Sequence, residues 1–151
     1  MSKFKSITNK AAFHNYNIID TFEAGIKLSG SEVKSIKLGH MNLKGSYINI
    51  ESEHRAWLLN AHISPYQAST NNNIKYNPTQ PRQLLLHKKQ LKHLTGKSHQ
   101  AGITIIPIKI YLKHRLIKIE IAIAKGKKKY DKRETIKKRD WSRRKKQLLK
   151  S

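Results

Sequence analysis

From Ile18 the chain alternates with a period of two. Phe22, Ala24, Ile26 and Leu28 fall on one face of an extended strand, and Glu23, Gly25, Lys27 and Ser29 on the other. That pattern predicts a half-buried strand with Glu23 outward. Gly30 and Ser31 break it. Ser31 is placed to cap a short helix running to Ile36, with Val33 and Ile36 inward and Gly39 as the stop. Tyr47–Ile50 and Ala56–Ile63 predict a hairpin across the polar cluster Glu51–Arg55, with Trp57, Leu59, Ala61 and Ile63 on one face. Gln67–Pro81 is rich in Asn, Thr, Ser and Pro and predicts a long loop, mobile or functional.

Alternation resumes at Gln83–His87, pairing Leu84 with Leu86 and Leu85 with His87 on opposite faces. One of these pairs must look away from the core. Lys88–Leu94 predicts a short basic helix with Leu91 and Leu94 inward, stopped by Gly96. Two strands follow. Ile106, Ile108, Ile110 and Leu112 alternate with Pro107, Lys109 and Tyr111; Ile117, Ile119, Ile121 and Ile123 alternate with Lys118, Glu120 and Ala122. They predict the clearest hairpin of the chain, turning near Lys113-His114, with an edge or bulge at Pro107. Met1–Asn15 reads as a basic arm or short edge strand. Five or six short strands with two helical insertions predict a mainly β domain over residues 1–124, a small closed or nearly closed antiparallel barrel.

Residues 125–151 differ in kind. They hold fourteen Lys or Arg against three acids (Asp131, Glu134 and Asp140), about half of the chain's net charge of +23. Such a density of like charge repels itself and builds no core. Asp131 can cap a helix with Glu134 three residues on, yet Ile136 lies off the face shared by Trp141 and Leu148. A tail disordered alone, and helical on a polyanion, is expected. The absence of an apolar face opposite the bases disfavours a membrane surface. Met1–Lys10 has no apolar core of a secretory signal, and no apolar run is long enough to span a bilayer, so a cytoplasmic protein is expected.

Chemistry for catalysis is hard to assemble. The nine acids are scattered, the chain has no cysteine, and the eight histidines, His14, His62, His87 and His93 among them, show no metal-ligand spacing. There is no phosphate-binding glycine loop and no nucleophile elbow. No metal, no cofactor and no enzyme activity are expected. Lys and Arg that neutralise phosphate, and aromatics such as Tyr130 and Trp141 set among them, suit RNA instead. A ribosomal or other rRNA-binding module, and an RNA-processing enzyme, are the competing readings.

Motifs spread along the chain then narrow the choice. They are Asn9-Lys10-Ala11-Ala12 with His14 and Tyr16; Glu23-Ala24-Gly25-Ile26; Gly30 with Glu32-Val33-Lys34-Ser35; Ser46-Tyr47; His62-Ile63-Ser64-Pro65-Tyr66; Leu84-Leu85-Leu86-His87-Lys88; Gly102 with Thr104; and Ala124-Lys125-Gly126-Lys127-Lys128 leading to Asp131-Lys132-Arg133. In this order and spacing the chain resembles the SsrA-binding proteins (the small protein B family), bacterial partners of transfer-messenger RNA in trans-translation. The resemblance implies an oligonucleotide-binding-like barrel with about three helices. It implies binding to the tRNA-like domain of transfer-messenger RNA, with Glu23, Leu85 and His87 as contacts and Asn9, Lys10, His14, Tyr16, Lys34, Arg82, Lys88 and Thr104 in the candidate RNA-binding set. It further implies that Gly126, Lys127, Lys128, Tyr130, Asp131, Lys132, Arg133 and Trp141 serve a tail that enters the decoding centre and empty messenger channel of a stalled ribosome. Gln83, Gln90 and Lys37 stand where the family commonly has a basic residue, Glu and Arg.

Overall fold

The isoleucine ladder of the C-terminal hairpin is the centre of the molecule. In the computed structural model, which describes residues 4, 6–51, 54–66 and 75–127, Ile117, Ile119, Ile121 and Ile123 all enter the main core, with Ile105 and Ile110 beside them. The chain runs β1 (Ser6–Thr8), α1 (Lys10–Asn15), β2 (Tyr16–Ile26), α2 (Gly30–Lys37), β3 (Met41–Asn42), β4 (Tyr47–Glu51), β5 (Arg55–Leu59), β6 (His62–Ile63), β7 (Arg82–Leu85), α3 (Lys88–Ser98), β8 (Ile103–Lys113) and β9 (Leu116–Gly126). Seven strands form one antiparallel sheet in the order β1-β8-β9-β2-β7-β5-β4, and β3 and β6 pair apart from it.

The mainly β class and the three helices agree with expectation; the closed barrel does not. The sheet curls until β4 lies against β8. No ladder joins β4 to β1, so both stay edges among the described residues. β1 is only three residues long, and a groove lined by Ile7, Thr8, Met41 and Leu43 separates it from the segment after α2. The side-chain amide of Asn9 bridges there, donating to the carbonyls of Pro107 at 2.9 Å and Leu43 at 3.4 Å. A side chain thus ties the seam that a strand ladder would close.

Several local readings change for identifiable reasons. The polar start is an edge strand followed by a helix, α1. Ala12 of α1 packs on a second cluster of Ile106, Ile108, Ala122 and Ala124, on the sheet face opposite the main core. The small Ala12 lets the helix lie close. β8 has a bulge between Pro107 and Lys109. The extra residue shifts the alternation: Ile106 and Ile108 serve the α1 cluster and Ile110 serves the main core, while Leu112, of the same parity as Ile110, is exposed near the hairpin turn. β5 buries Ala56 and Leu58, not Trp57 and Leu59. Asn60, at a φ of 61°, then resets the parity so that Ala61 and Ile63 also point inward.

Both longer helices begin earlier or end later than their apolar residues suggest. α2 is capped by Ser29 rather than Ser31. The Glu32 N–H donates to Ser29 Oγ and the Ser29 N–H donates to Glu32 Oε1, each at 3.2 Å, a reciprocal capping box. α3 runs through Gly96 to Ser98. Its inward Leu91 and Leu94 are almost fully buried, and that packing outweighs the cost of about 1 kcal/mol for an interior glycine.

Candidate nucleic-acid interface

The strand registers put four outward side chains into one neighbourhood. Gly25 of β2 lies opposite Leu85 of β7 on one side and opposite Lys118 of β9 on the other; Lys118 in turn lies opposite Tyr111 of β8. In the next row Glu23 faces Glu120, which faces Lys109. Residues directly opposite share a face of the sheet. The face away from the main core therefore carries Leu85, Lys118, Tyr111 and Glu23 side by side.

Glu23 is held there. The Tyr111 hydroxyl donates to Glu23 Oε2, and Lys113 Nζ lies 3.3 Å from both carboxylate oxygens. The Tyr111 hydrogen bond, with help from the Lys113 charge, keeps the Glu23 carboxyl below the usual carboxylate range. Burial and the hydrogen bond to Glu23 push the Tyr111 phenol up. Lys109 lies over the Tyr111 ring, 5.9 Å from its centroid. The result is an ionised acceptor with fixed orientation on a basic surface, suited to a base N–H, an amino group or a 2′-hydroxyl rather than to phosphate.

Leu85 supplies the apolar part of this face. It is 49% exposed and lies across Gly25, where an added Cβ would come within 3.2 Å of the Leu85 Cβ. Gly25 thus gives the leucine a bed on the sheet. His87 is exposed at the N-cap of α3, where its N–H donates to Gln90 Oε1 at 3.1 Å. Gln90 therefore does the capping work a Glu would do at that position. Lys88 is exposed one residue on, and Gln83 lies outward opposite Trp57. The outward placement of Glu23, and of Leu85 with His87, agrees with the alternation in the sequence.

A second group gathers at the other end of β2, roughly 23 Å from Glu23 at about 3.3 Å per residue. Asn9, Tyr16 and Thr104 line a pocket of about 330 Å3 together with Ala11, Asn15 and Tyr47. Lys10 is exposed on α1 and His14 is half-buried near its end. The root of the tail is fixed at the same place. Tyr16 pairs with Gly126. The Lys127 N–H donates to the Asn15 carbonyl at 2.9 Å, and its Nζ to the Phe13 carbonyl at 3.0 Å. β9 thus continues two residues past Ala124 before the chain departs. Lys128, Tyr130, Asp131, Lys132, Arg133 and Trp141 lie outside the described residues.

Two members of the candidate set are not at the surface. Asn9 is buried with its amide given to the carbonyls named above. Arg82 is 2% exposed. Its Nε donates to Glu32 Oε2 at 2.8 Å, its Nη1 to the Ala61 carbonyl at 2.7 Å, and its Nη2 to the Pro78 carbonyl at 2.9 Å. The Tyr76 hydroxyl and Gln80 complete the shell around Glu32. Burial raises the Glu32 carboxyl, but the Ser29 N–H and Arg82 outweigh it and leave the pKa lowered. In this arrangement Arg82 staples the segment before β7 to α2 and is buried out of reach of a phosphate at the surface. Lys34 is exposed, with its Nζ 5.3 Å from the Tyr66 ring centroid.

Tyr111, Lys113 and Lys118 were not singled out from the sequence, although Tyr111 and Lys118 already stood on the outward parity of their strands. What was missing was the register that sets β8 two strands from β2. Among the described residues no group of three His, Cys, Asp or Glu could hold a metal ion, and no helix is long and apolar enough to cross a membrane.

A curved antiparallel sheet that presents a seated leucine, an oriented carboxylate and flanking lysines has the chemistry suited to a nucleic-acid partner. The family model described as SmpB protein matches residues 6–151, and the chain belongs to that family. The SsrA-binding protein of Persephonella marina is 52% identical over 136 residues, covering 90% of this chain and 88% of the relative. That of Thermosipho melanesiensis is 51% identical over 144 residues, covering 95% and 96%. A chain in the structure described as "tmRNA-SmpB: a journey to the center of the bacterial ribosome" superposes with a TM-score of 0.68 at 39% identity, covering 83% of this chain and 86% of that one.

Proposed function

We propose that this protein binds the tRNA-like domain of transfer-messenger RNA and brings it to stalled ribosomes in trans-translation. The observation that carries the reading is the single outward face that Glu23 and Leu85 share, with the exposed His87 two residues beyond Leu85, in a chain of this family. Leu85 offers apolar surface to a nucleotide, and the oriented Glu23 accepts a hydrogen bond from it. Lys88, Lys118 and their neighbours neutralise phosphate. The protein works in the cytoplasm by binding alone, with no covalent chemistry of its own. The basic segment beyond Lys127 enters the messenger channel, which has room for it only when it is empty. Protein and RNA together then take the place of a tRNA at the decoding centre.

The test is the affinity of the full chain for the tRNA-like domain against ordinary tRNA over a salt series. Selective binding is expected, and Leu85→Ala should weaken it by about 1 kcal/mol, the worth of covering the exposed half of the side chain. Replacing Asp131, Lys132 and Arg133 together by Ala should spare that affinity and abolish tagging in a reconstituted translation system. Equal binding of both RNAs at every salt concentration would reduce the protein to a generic polyanion binder.

A further inference from the structure

Helix α3 carries Lys88, Lys89, Lys92, His93 and Lys97, with His99 at its C-cap, and no acid. The two ion pairs among the described residues, Arg82–Glu32 and Lys113–Glu23, involve none of them. Leu91 and Leu94 bury one side of the helix. At about 100° per residue the opposite side presents Lys88, Lys92, Gly96 and His99 in a line, with Lys89 and His93 beside it, and all six are exposed. Lys88 and Lys89 occupy the first turn, where the helix dipole disfavours positive charge. Lys88–Lys92 and Lys89–His93 stand four apart, a spacing at which like charges oppose the helix whenever the histidine is protonated. His93 touches the Phe22 ring, 5.7 Å between centroids, but no ion pair among the described residues offsets the charge of the helix.

Gly96 is the second, independent observation. It lies inside the helix in ordinary helical backbone, and a Cβ placed on it would meet nothing within 4 Å. Neither conformation nor packing requires glycine, and alanine would favour the helix. What glycine provides here is a notch, a place in a ridge of lysines where another backbone can come close to the helix.

We propose that the outer face of α3 is a track for the sugar–phosphate backbone of the bound RNA, seated in the notch at Gly96 and neutralised by Lys89 and Lys92. The proposal rests on the RNA-binding reading above and extends it. α3 begins at Lys88, three residues after Leu85, so the track continues the face that contacts the nucleotides. A backbone lying on α3 supplies the negative charge that the helix lacks, and it explains why an exposed helical position carries no side chain.

The experiment measures binding of the full chain to the tRNA-like domain of transfer-messenger RNA over a salt series, alongside thermal unfolding. Gly96→Ala should leave the unfolding temperature unchanged or raised while weakening affinity several-fold, and Gly96→Leu should weaken it more than tenfold. Lys89→Gln and Lys92→Gln should each reduce the slope of log affinity against log salt by about one. Leu85→Ala serves as the control, lowering affinity without changing that slope. Parent-like affinity for Gly96→Leu, or an unchanged slope in both Lys89→Gln and Lys92→Gln, overturns the track while Leu85→Ala still weakens binding. Loss of the Leu85 effect as well would instead overturn the RNA-binding reading itself.

Discussion

At the scale of single residues, the contact face depends on side chains that hold other side chains. Tyr111 does not extend the sheet's charge; it aims Glu23. Tyr111→Phe should therefore lower RNA affinity when Glu23 is present and have little further effect in Glu23→Gln. A double-mutant cycle measures this coupling directly; additive losses would mean that Tyr111 touches the RNA itself. Arg82 is the other case. Removing one partner of a buried pair leaves an uncompensated charge, so Arg82→Met should cost about 3–5 kcal/mol of stability, read from the denaturant midpoint. RNA affinity of the folded fraction should change little, because Arg82 faces inward.

At the scale of elements, the departures from the alternation each have one local cause. The bulge in β8 redirects two isoleucines to α1, and Asn60 resets the parity between β5 and β6. Asn60 sits in the left-handed region that Asn tolerates and β-branched residues do not. Asn60→Val should lower the unfolding free energy by about 1–2 kcal/mol, while Asn60→Gly should be tolerated; chemical denaturation of the three proteins checks both. The outward placement of Glu23 and Leu85 was legible because β2 and β7 alternate cleanly beside them. The helical course of α1 was not, since Lys10–Asn15 has a single buried residue, Ala12, and no apolar stripe. Gly96 misled for a different reason: a glycine marks a helix stop only if tertiary packing does not carry the helix past it, and Leu91 and Leu94 do so here.

At the scale of the whole molecule, the Glu32–Arg82 cluster links the protein's stability to pH. The folded Glu32 carboxyl binds its proton less readily than the unfolded one. Its contribution is therefore complete above about pH 5 and is lost as the pH falls below about 4.3, the ordinary glutamate value, towards the lower folded value. Unfolding temperature measured from pH 6 to 3 should fall over that interval, and Glu32→Gln should flatten the fall. The cluster ties α2, Ala61, Tyr76, Pro78 and β7 into one unit, joining segments distant in sequence around a loop that composition alone marked as polar.

Side-chain periodicity and charge are local properties, so the sequence by itself determined the mainly β class, most of the strands, the outward parity of Glu23 and Leu85, and the basic tail. Its spaced motifs pointed to the family. Closure, register and burial of polar groups depend on which distant segments meet. Only the tertiary structure decided that the sheet stays open with Asn9 across its seam, that Arg82 turns inward to Glu32, and that Tyr111 reaches Glu23 from two strands away. The physical reason is that alternation states which side of a strand faces the core, whereas the partner across the sheet is fixed by the packing of the whole chain.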